Sequence, residues 1–265
     1  MLIHAEAAHV PVLRADADRL GGSAHDLSFR DALLGAARPP VEPFAGLKAG
    51  DTGPQVTRLQ KILIKWNSNL GVSCTGRYDE ATSRAMTLFQ AIYGRGGDGR
   101  AVEPQVATYL RQMEDGSFWR NPPPKTPAQA MLYHASRKLG VPYRMGGDGQ
   151  TATDCGMLTG MALRQSGVHG AASRLADSQF RAAERGVAGL SLAARPAPGD
   201  LVFFRVPTRQ SGEAYRGITH VGLYVGNGMM LAASSSAGRV ILQPVSDLGA
   251  YVAGYGRPPG AMAGL

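Results

Sequence analysis

Cysteine is nearly absent from this chain. There are two in 265 residues, Cys74 and Cys155, too few for a disulfide framework, so each reads as a single-purpose residue. Long apolar runs are missing too: none reaches eighteen residues, which excludes a membrane-spanning helix. The spacings CxxC, HExxH and HxH do not occur, so a closed zinc site lacks its donors, and neither a metal nor any other cofactor is expected. Aromatic residues are 7% of the chain. They form no stacking platform and no reading motif for nucleic acid, which leaves that class resting on charge alone. The start, Met1-Leu2-Ile3-His4-Ala5-Glu6, lacks the basic segment, apolar run and small-residue cleavage site of a secretory leader. Two readings stay open: the chain starts in the cytoplasm, or a leader has been removed.

What is present suits a folded protein of two compact domains. Apolar residues make up 44% and charged residues 18%, enough to bury cores and too few charges for a swollen, disordered chain. The 35 glycines and 17 prolines predict many loops. The net charge of +8 is unevenly placed: residues 1–120 hold 14 basic and 13 acidic groups, residues 121–265 hold 14 and 7. An acidic partner is therefore first sought in the C-terminal half.

Residues 1–43 mix small, charged and Gly/Pro residues, with one short helical stretch at Asp26–Ala37, and end in the stiff Arg38-Pro39-Pro40-Val41-Glu42-Pro43. The composition reads as a weakly ordered arm. Residues 44–114 read as three helices. Val56, Leu59, Ile62 and Leu63 form one apolar stripe; Ala81, Ala85, Leu88 and Phe89 a second; Val106, Tyr109 and Leu110 a third. A core that small has little room for a reaction chamber, and the segment holds no histidine, so it reads as a binding or targeting module. Residues 115–125 contain Asn121-Pro122-Pro123-Pro124, a polyproline spacer. Residues 126–265 form the last region.

The chemistry is concentrated in that last region. A helix is predicted from Pro127 to Leu139, stopped by Gly140 and Pro142. A second begins after Thr153-Asp154, either of which suits an N-cap, and so carries Cys155 in its first turn. There the unpaired backbone N–H groups and the positive end of the helix favour a thiolate, and can also donate to an oxyanion. A thiolate nucleophile needs a group that takes and returns a proton, and imidazole suits neutral pH. His4, His9 and His25 lie in the arm, His134 inside a helix, and His169 in a Gly-rich loop. His220 opens the alternating strand His220-Val221-Gly222-Leu223-Tyr224-Val225, whose buried face of Val221, Leu223 and Val225 turns His220 the other way. Asp200 reads as a loop and strand-start residue.

Two stretches carry family resemblances. Leu47-Lys48-Ala49-Gly50-Asp51-Thr52-Gly53-Pro54-Gln55-Val56, Leu59-Gln60, Thr75-Gly76-Arg77-Tyr78, Phe89-Gln90 and Asp98-Gly99 resemble the bacterial peptidoglycan-binding domain, a three-helix module. Thr75 stands where that family has Asp and Asp79 where it has Gly, which predicts an altered turn. Gly140-Val141-Pro142-Tyr143-Arg144-Met145-Gly146-Gly147, Asp154-Cys155, Pro198-Gly199-Asp200-Leu201-Val202-Phe203-Phe204 and His220 to Gly228 resemble the NlpC-type, papain-like cell-wall cysteine peptidases.

The second resemblance implies an α+β fold, a papain-like catalytic domain with a helix-terminal cysteine packed on an antiparallel sheet, preceded by the three-helix module. It implies Cys155 as nucleophile and His220 as base and then acid. It also implies Tyr143 near the oxyanion and Asp154 beside the amine-bearing end of a peptidoglycan stem peptide, cut at the γ-D-glutamyl to diamino-acid bond. Two positions depart from the family: Gly156-Met157 replaces Ser-Gly after the cysteine, and Ala232 stands where a polar residue orients the histidine. A two-residue loop at Asn227-Gly228 places Ser235 opposite His220, and a bulged three-residue loop places Ser234 there. Either serine, a water or a backbone carbonyl is the expected substitute. The resulting expectation is a peptidoglycan hydrolase acting on the cell wall. With no leader visible, export by a secretion machine as an antibacterial effector, with an immunity protein as partner, also fits. A non-catalytic wall-binding protein with a retired site and an acyltransferase on the same scaffold are the alternatives.

Overall fold

The computed structural model describes residues 43–118, 124, 126–207 and 213–259. The stretch Asp26–Ala37 and most of the proline spacer lie outside them. The chain divides into residues 1–41 and 42–265, and the second unit holds every described residue.

Among the described residues stand six α-helices and six strands: α1 Pro54–Trp66, α2 Glu80–Tyr93, α3 Pro104–Asp115, α4 Pro127–Ser136, α5 Cys155–Gln165, α6 Ala176–Glu184, β1 Ser191–Ala193, β2 Leu201–Phe204, β3 His220–Gly226, β4 Met229–Ser234, β5 Arg239–Pro244 and β6 Val252–Arg257. Proline opens α1, α3 and α4, where its missing N–H costs nothing. α4 ends at Ser136, three residues short of the expected Leu139, because the backbone tightens into i→i−3 turns: Lys138 N–H donates to Ala135 O and Leu139 N–H to Ser136 O.

The first three helices enclose Phe44, Val56, Leu59, Leu63, Met86 and Leu110, each fully buried large side chain contributing about 1.5–3 kcal/mol. The turn before α2 is held by side chains. The Gln60 side chain, fully buried, accepts the Gly76 N–H and donates to Thr75 Oγ1 and Arg77 O, while Asp79 caps α2 by accepting the Thr82 N–H at 2.8 Å.

Helix α2 is buried on nearly every side. Ala85, Met86 and Phe89 face the three-helix core; Leu88, Ala91 and Ile92 join the main core with Met131, Leu158, Val221 and Leu223. One helix thus serves two cores.

The strands form one antiparallel sheet in the order β1-β6-β2-β3-β4-β5. Val221, Leu223 and Val225 point to the main core beneath α4, α5 and α6. The other face carries a smaller cluster of Val202, Phe204, Met230 and Ala232. The β3–β4 hairpin pairs Leu223 with Leu231 and Tyr224 with Met230, then shifts at Gly226 and Met229. This is the bulged form of the turn. Continued along the strand, its register sets Ser234 opposite His220.

Candidate active site

The site forms where the N-terminus of α5 meets the start of β3. Asp154 is the N-cap: Oδ1 accepts the Met157 N–H at 2.8 Å. Cys155 is therefore the first helical residue, and it is buried, 9% exposed. Its sulfur faces the backbone N–H groups of Val221, Gly156 and Cys155 itself, all of which favour the thiolate. Burial outweighs them. It pushes the thiol up to about 11, with the neighbouring Asp154 carboxylate adding to the rise. Burial thus favours the protonated thiol at neutral pH.

Val221 is the residue after His220, and it shares the main core with Cys155, so the start of β3 lies against the first turn of α5. The β3–β4 ladder covers Leu223 to Gly226, short of Val221, and the thiol takes the N–H there. His220 pairs with Phe204 in the β2–β3 ladder, and the two rings lie 5.6 Å apart. The strand start is fixed by Thr219: Val206 N–H donates to its Oγ1 at 2.9 Å and that hydroxyl donates to Val206 O at 3.0 Å.

Tyr143 bridges Thr153 in parallel register, two residues before Cys155. Its segment is held on the other side by β5 and the residue before it, through Gly140 N–H to Val240 O at 2.9 Å and Tyr143 N–H to Gly238 O at 2.8 Å. Asp154 is 6% exposed. Its Oδ2 accepts the Gly146 N–H at 2.8 Å and lies 3.6 Å from the Arg174 guanidinium. The carboxylate thus joins the Tyr143–Gly149 loop to the helix start.

Ala232 is fully buried in the small apolar cluster beside Phe204. The Ser234 hydroxyl lies 3.0 Å from that of Ser236 and accepts the Ala237 N–H at 3.2 Å, closing the β4–β5 turn, and Ser235 is exposed. Asp200, fully buried, forms a two-pronged pair with Arg257, at 3.1 Å from Nε to Oδ1 and 2.8 Å from Nη2 to Oδ2. Burial raises its carboxyl while Arg257 and the Ala197 N–H lower it. It anchors the start of β2 to β6. His134 stands on α4, its imidazole held below the ordinary value by burial and by Arg137. Among the described residues no group of three or more His, Cys, Asp or Glu stands together.

Sequence reasoning missed the support beneath Cys155. Thr159 and Gln179 are fully buried. The Thr159 hydroxyl lies 3.0 Å from Cys155 O and 2.8 Å from Gln179 Oε1, and Gln179 Nε2 donates to Gly156 O at 3.0 Å and Ser173 O at 2.6 Å. Gly156, the departure from the family pattern, is required by packing: a Cβ there would overlap the Arg174 carbonyl oxygen, and one on Gly160 would overlap that of Ser173. Two glycines four apart on α5 were the available signal.

Comparison with known proteins finds similarity over the region that holds these residues. Residues 140–251 match the NlpC/P60 family model. The probable endopeptidase p60 of Listeria welshimeri is 33% identical over 127 residues, 48% of this chain and 21% of the relative. The bifunctional muramidase/DL-endopeptidase CwlT of Bacillus subtilis is 30% identical over 120 residues, 41% of this chain and 30% of the relative. The chain thus spans about a fifth to a third of these relatives. The peptidoglycan hydrolase RipB of Mycobacterium tuberculosis is 21% identical over 85% of this chain and 87% of that one, with a TM-score of 0.37.

Proposed function

We propose, from the match of residues 140–251 to the NlpC/P60 family model, that this chain is a peptidoglycan endopeptidase with Cys155 as nucleophile and His220 as general base. The observation that carries the proposal is the placement of the Cys155 sulfur, in the first turn of α5, against the backbone N–H of the residue following His220.

The protonated thiol fixes the order of events. His220 takes the thiol proton as the sulfur attacks a stem-peptide carbonyl carbon. The first N–H groups of α5, assisted by Tyr143, receive the charge that develops on the carbonyl oxygen. Collapse breaks the C–N bond, and the imidazolium returns its proton to the leaving amine. A water, deprotonated by His220, then releases the acyl group from sulfur. The bond cut is the γ-D-glutamyl to diamino-acid linkage, with Asp154 and its loop bordering the subsite for the acyl side. Residues 44–114 act as a wall-docking module that raises the local substrate concentration, and the enzyme works at the cell wall.

Mass spectrometry of sacculi digested by wild type and by Cys155→Ala tests this. New muropeptides cut at that linkage, absent with the variant, are expected; identical profiles refute hydrolysis. A wall-binding protein with a retired site is favoured by one observation, the methyl of Ala232 where a polar orienter belongs. That reading requires equal pelleting of both proteins with sacculi and no products from either.

A further inference from the structure

Beside Cys155 stands a cation that the thiol chemistry does not use. Arg174 lies two residues before α6, and its carbonyl oxygen packs closely on α5. A Cβ at Gly156, the residue after Cys155, would overlap it. The Arg174 side chain reaches the loop that follows Tyr143: Nη2 is 3.6 Å from Asp154 Oδ2 and 3.5 Å from Gly147 O. Arg174 thus belongs to the wall built by the start of α5 and the Tyr143–Gly149 loop, with its side chain 46% exposed.

The two members of this ion pair differ in what they can still bind. Both Asp154 oxygens accept a backbone N–H at 2.8 Å, Oδ1 from Met157 and Oδ2 from Gly146, and the residue is almost buried. A substrate ammonium approaching it meets the more exposed guanidinium first. Arg174 carries five N–H donors in a planar fork. Its contacts to Asp154 Oδ2 and Gly147 O are both longer than a charge-assisted hydrogen bond of about 2.8 Å, so an anion can gain short bonds without breaking any. Its neighbours on the wall are apolar: Leu175 is the next residue and Met145 precedes Gly146, and both are exposed. Methylene groups arriving there cover these side chains, and the charge contact strengthens as water leaves.

We propose that Arg174 determines specificity at this site by binding the free α-carboxylate of the glutamyl residue whose γ-carboxyl is attacked; the choice of ligand rests on the endopeptidase reading above. A γ-linked glutamyl commits its side-chain carboxyl to the scissile bond. Its α-carboxylate stays free on the acyl side, the side that Asp154 and its loop border. Its methylenes suit the Met145 and Leu175 flanks, and the planar carboxylate matches the guanidinium fork. An α-carboxamide has no charge and one acceptor oxygen where the carboxylate has two, so stem peptides amidated there are the poorer substrates.

Hydrolysis of L-alanyl-γ-D-glutamyl-diaminopimelate beside its glutamyl α-carboxamide counterpart tests the proposal, because the two peptides share every other charge. Full-length wild type should cleave the carboxylate form with a kcat/KM at least fivefold higher; a smaller preference overturns the proposal without any variant. Arg174→Gln, at an exposed position where folding is readily verified by circular dichroism, should bring the preference within twofold through loss on the carboxylate form. A larger preference retained by that variant also overturns the proposal, since a merely structural arginine lowers both rates alike. The endopeptidase reading fails separately, when wild type cleaves neither peptide. Calorimetric titration of Cys155→Ala with both then decides: at least fivefold tighter binding of the carboxylate form, lost in Cys155→Ala/Arg174→Gln, refutes the activity and keeps the carboxylate site, whereas equal binding overturns both.

Discussion

The state of the Cys155 thiol decides between two ways of running a thiol mechanism. A preformed thiolate–imidazolium pair reacts with alkylating agents at neutral pH; a thiol that surrenders its proton only during attack does not. The sulfur is almost sealed from solvent and its thiol is pushed up to about 11. Against an ordinary cysteine near 8.5, that leaves about 300-fold less thiolate at pH 7.

The assay is iodoacetamide modification of Cys155 in a Cys74→Ser background, followed by mass spectrometry across pH 6–11. The rate should climb about tenfold per pH step from 7 to 10, since only the thiolate reacts. Asp154→Asn keeps a capping side chain and removes the adjacent charge that raises the thiol, so at pH 8 it should alkylate a few times faster. A plateau reached below pH 8 would refute the reasoning, showing that the three N–H groups and His220 outweigh burial.

Gly156→Ala forces a methyl into the Arg174 carbonyl; about 3 kcal/mol of stability should be lost, a fall of roughly 6–12 °C in Tm, and a Tm within a degree of wild type contradicts the packing. Thr159→Val leaves Gln179 Oε1 buried without its hydroxyl, costing about 1–3 kcal/mol in chemical denaturation; Gln179→Leu added to it should cost less than the two separate losses combined. Arg257→Met strands the buried Asp200 carboxylate and should cost about 3–5 kcal/mol at pH 7. Asp200 is already raised by burial and rises further without Arg257. The loss is therefore smallest below the unfolded-state carboxyl value near 4 and grows as pH rises through the folded value; a deficit that shrinks with rising pH contradicts it. Ser234→Ala should leave the rate within twofold, because its hydroxyl serves the β4–β5 turn, whereas Thr219→Val, which removes both bonds to Val206, should lower kcat at least fivefold with little change in KM.

Local features were legible in the sequence and contacts across the chain were not. Asp154 before Cys155 predicted a capped helix start, and the alternation through Val221, Leu223 and Val225 predicted the face of β3; both depend on neighbours in sequence. The two-sided burial of α2 was hidden because four of its buried residues, Thr82, Ser83, Thr87 and Gln90, are polar, which blurs the apolar period that marks a buried helix. The Gln179–Thr159 support joins residues twenty apart, and no local pattern announces such a pair. The Val221 N–H on the sulfur is a backbone group, invisible to any reading of side chains. Of the two serines offered as orienters, the bulged hairpin sets Ser234 opposite His220, and its hydroxyl also bonds within the turn after β4.

The buried methyl of Ala232 bears on how a dyad can work here. In a triad the third residue fixes both the direction and the tautomer of the imidazole. Ala232 supplies neither. Direction has other sources: the β2–β3 ladder pairs His220 with Phe204, the Phe204 ring lies beside the imidazole, the reciprocal Thr219–Val206 bonds fix the preceding residue, and the following one, Val221, packs in the main core with Cys155. Backbone anchoring on both sides of His220 thus limits where its imidazole can point.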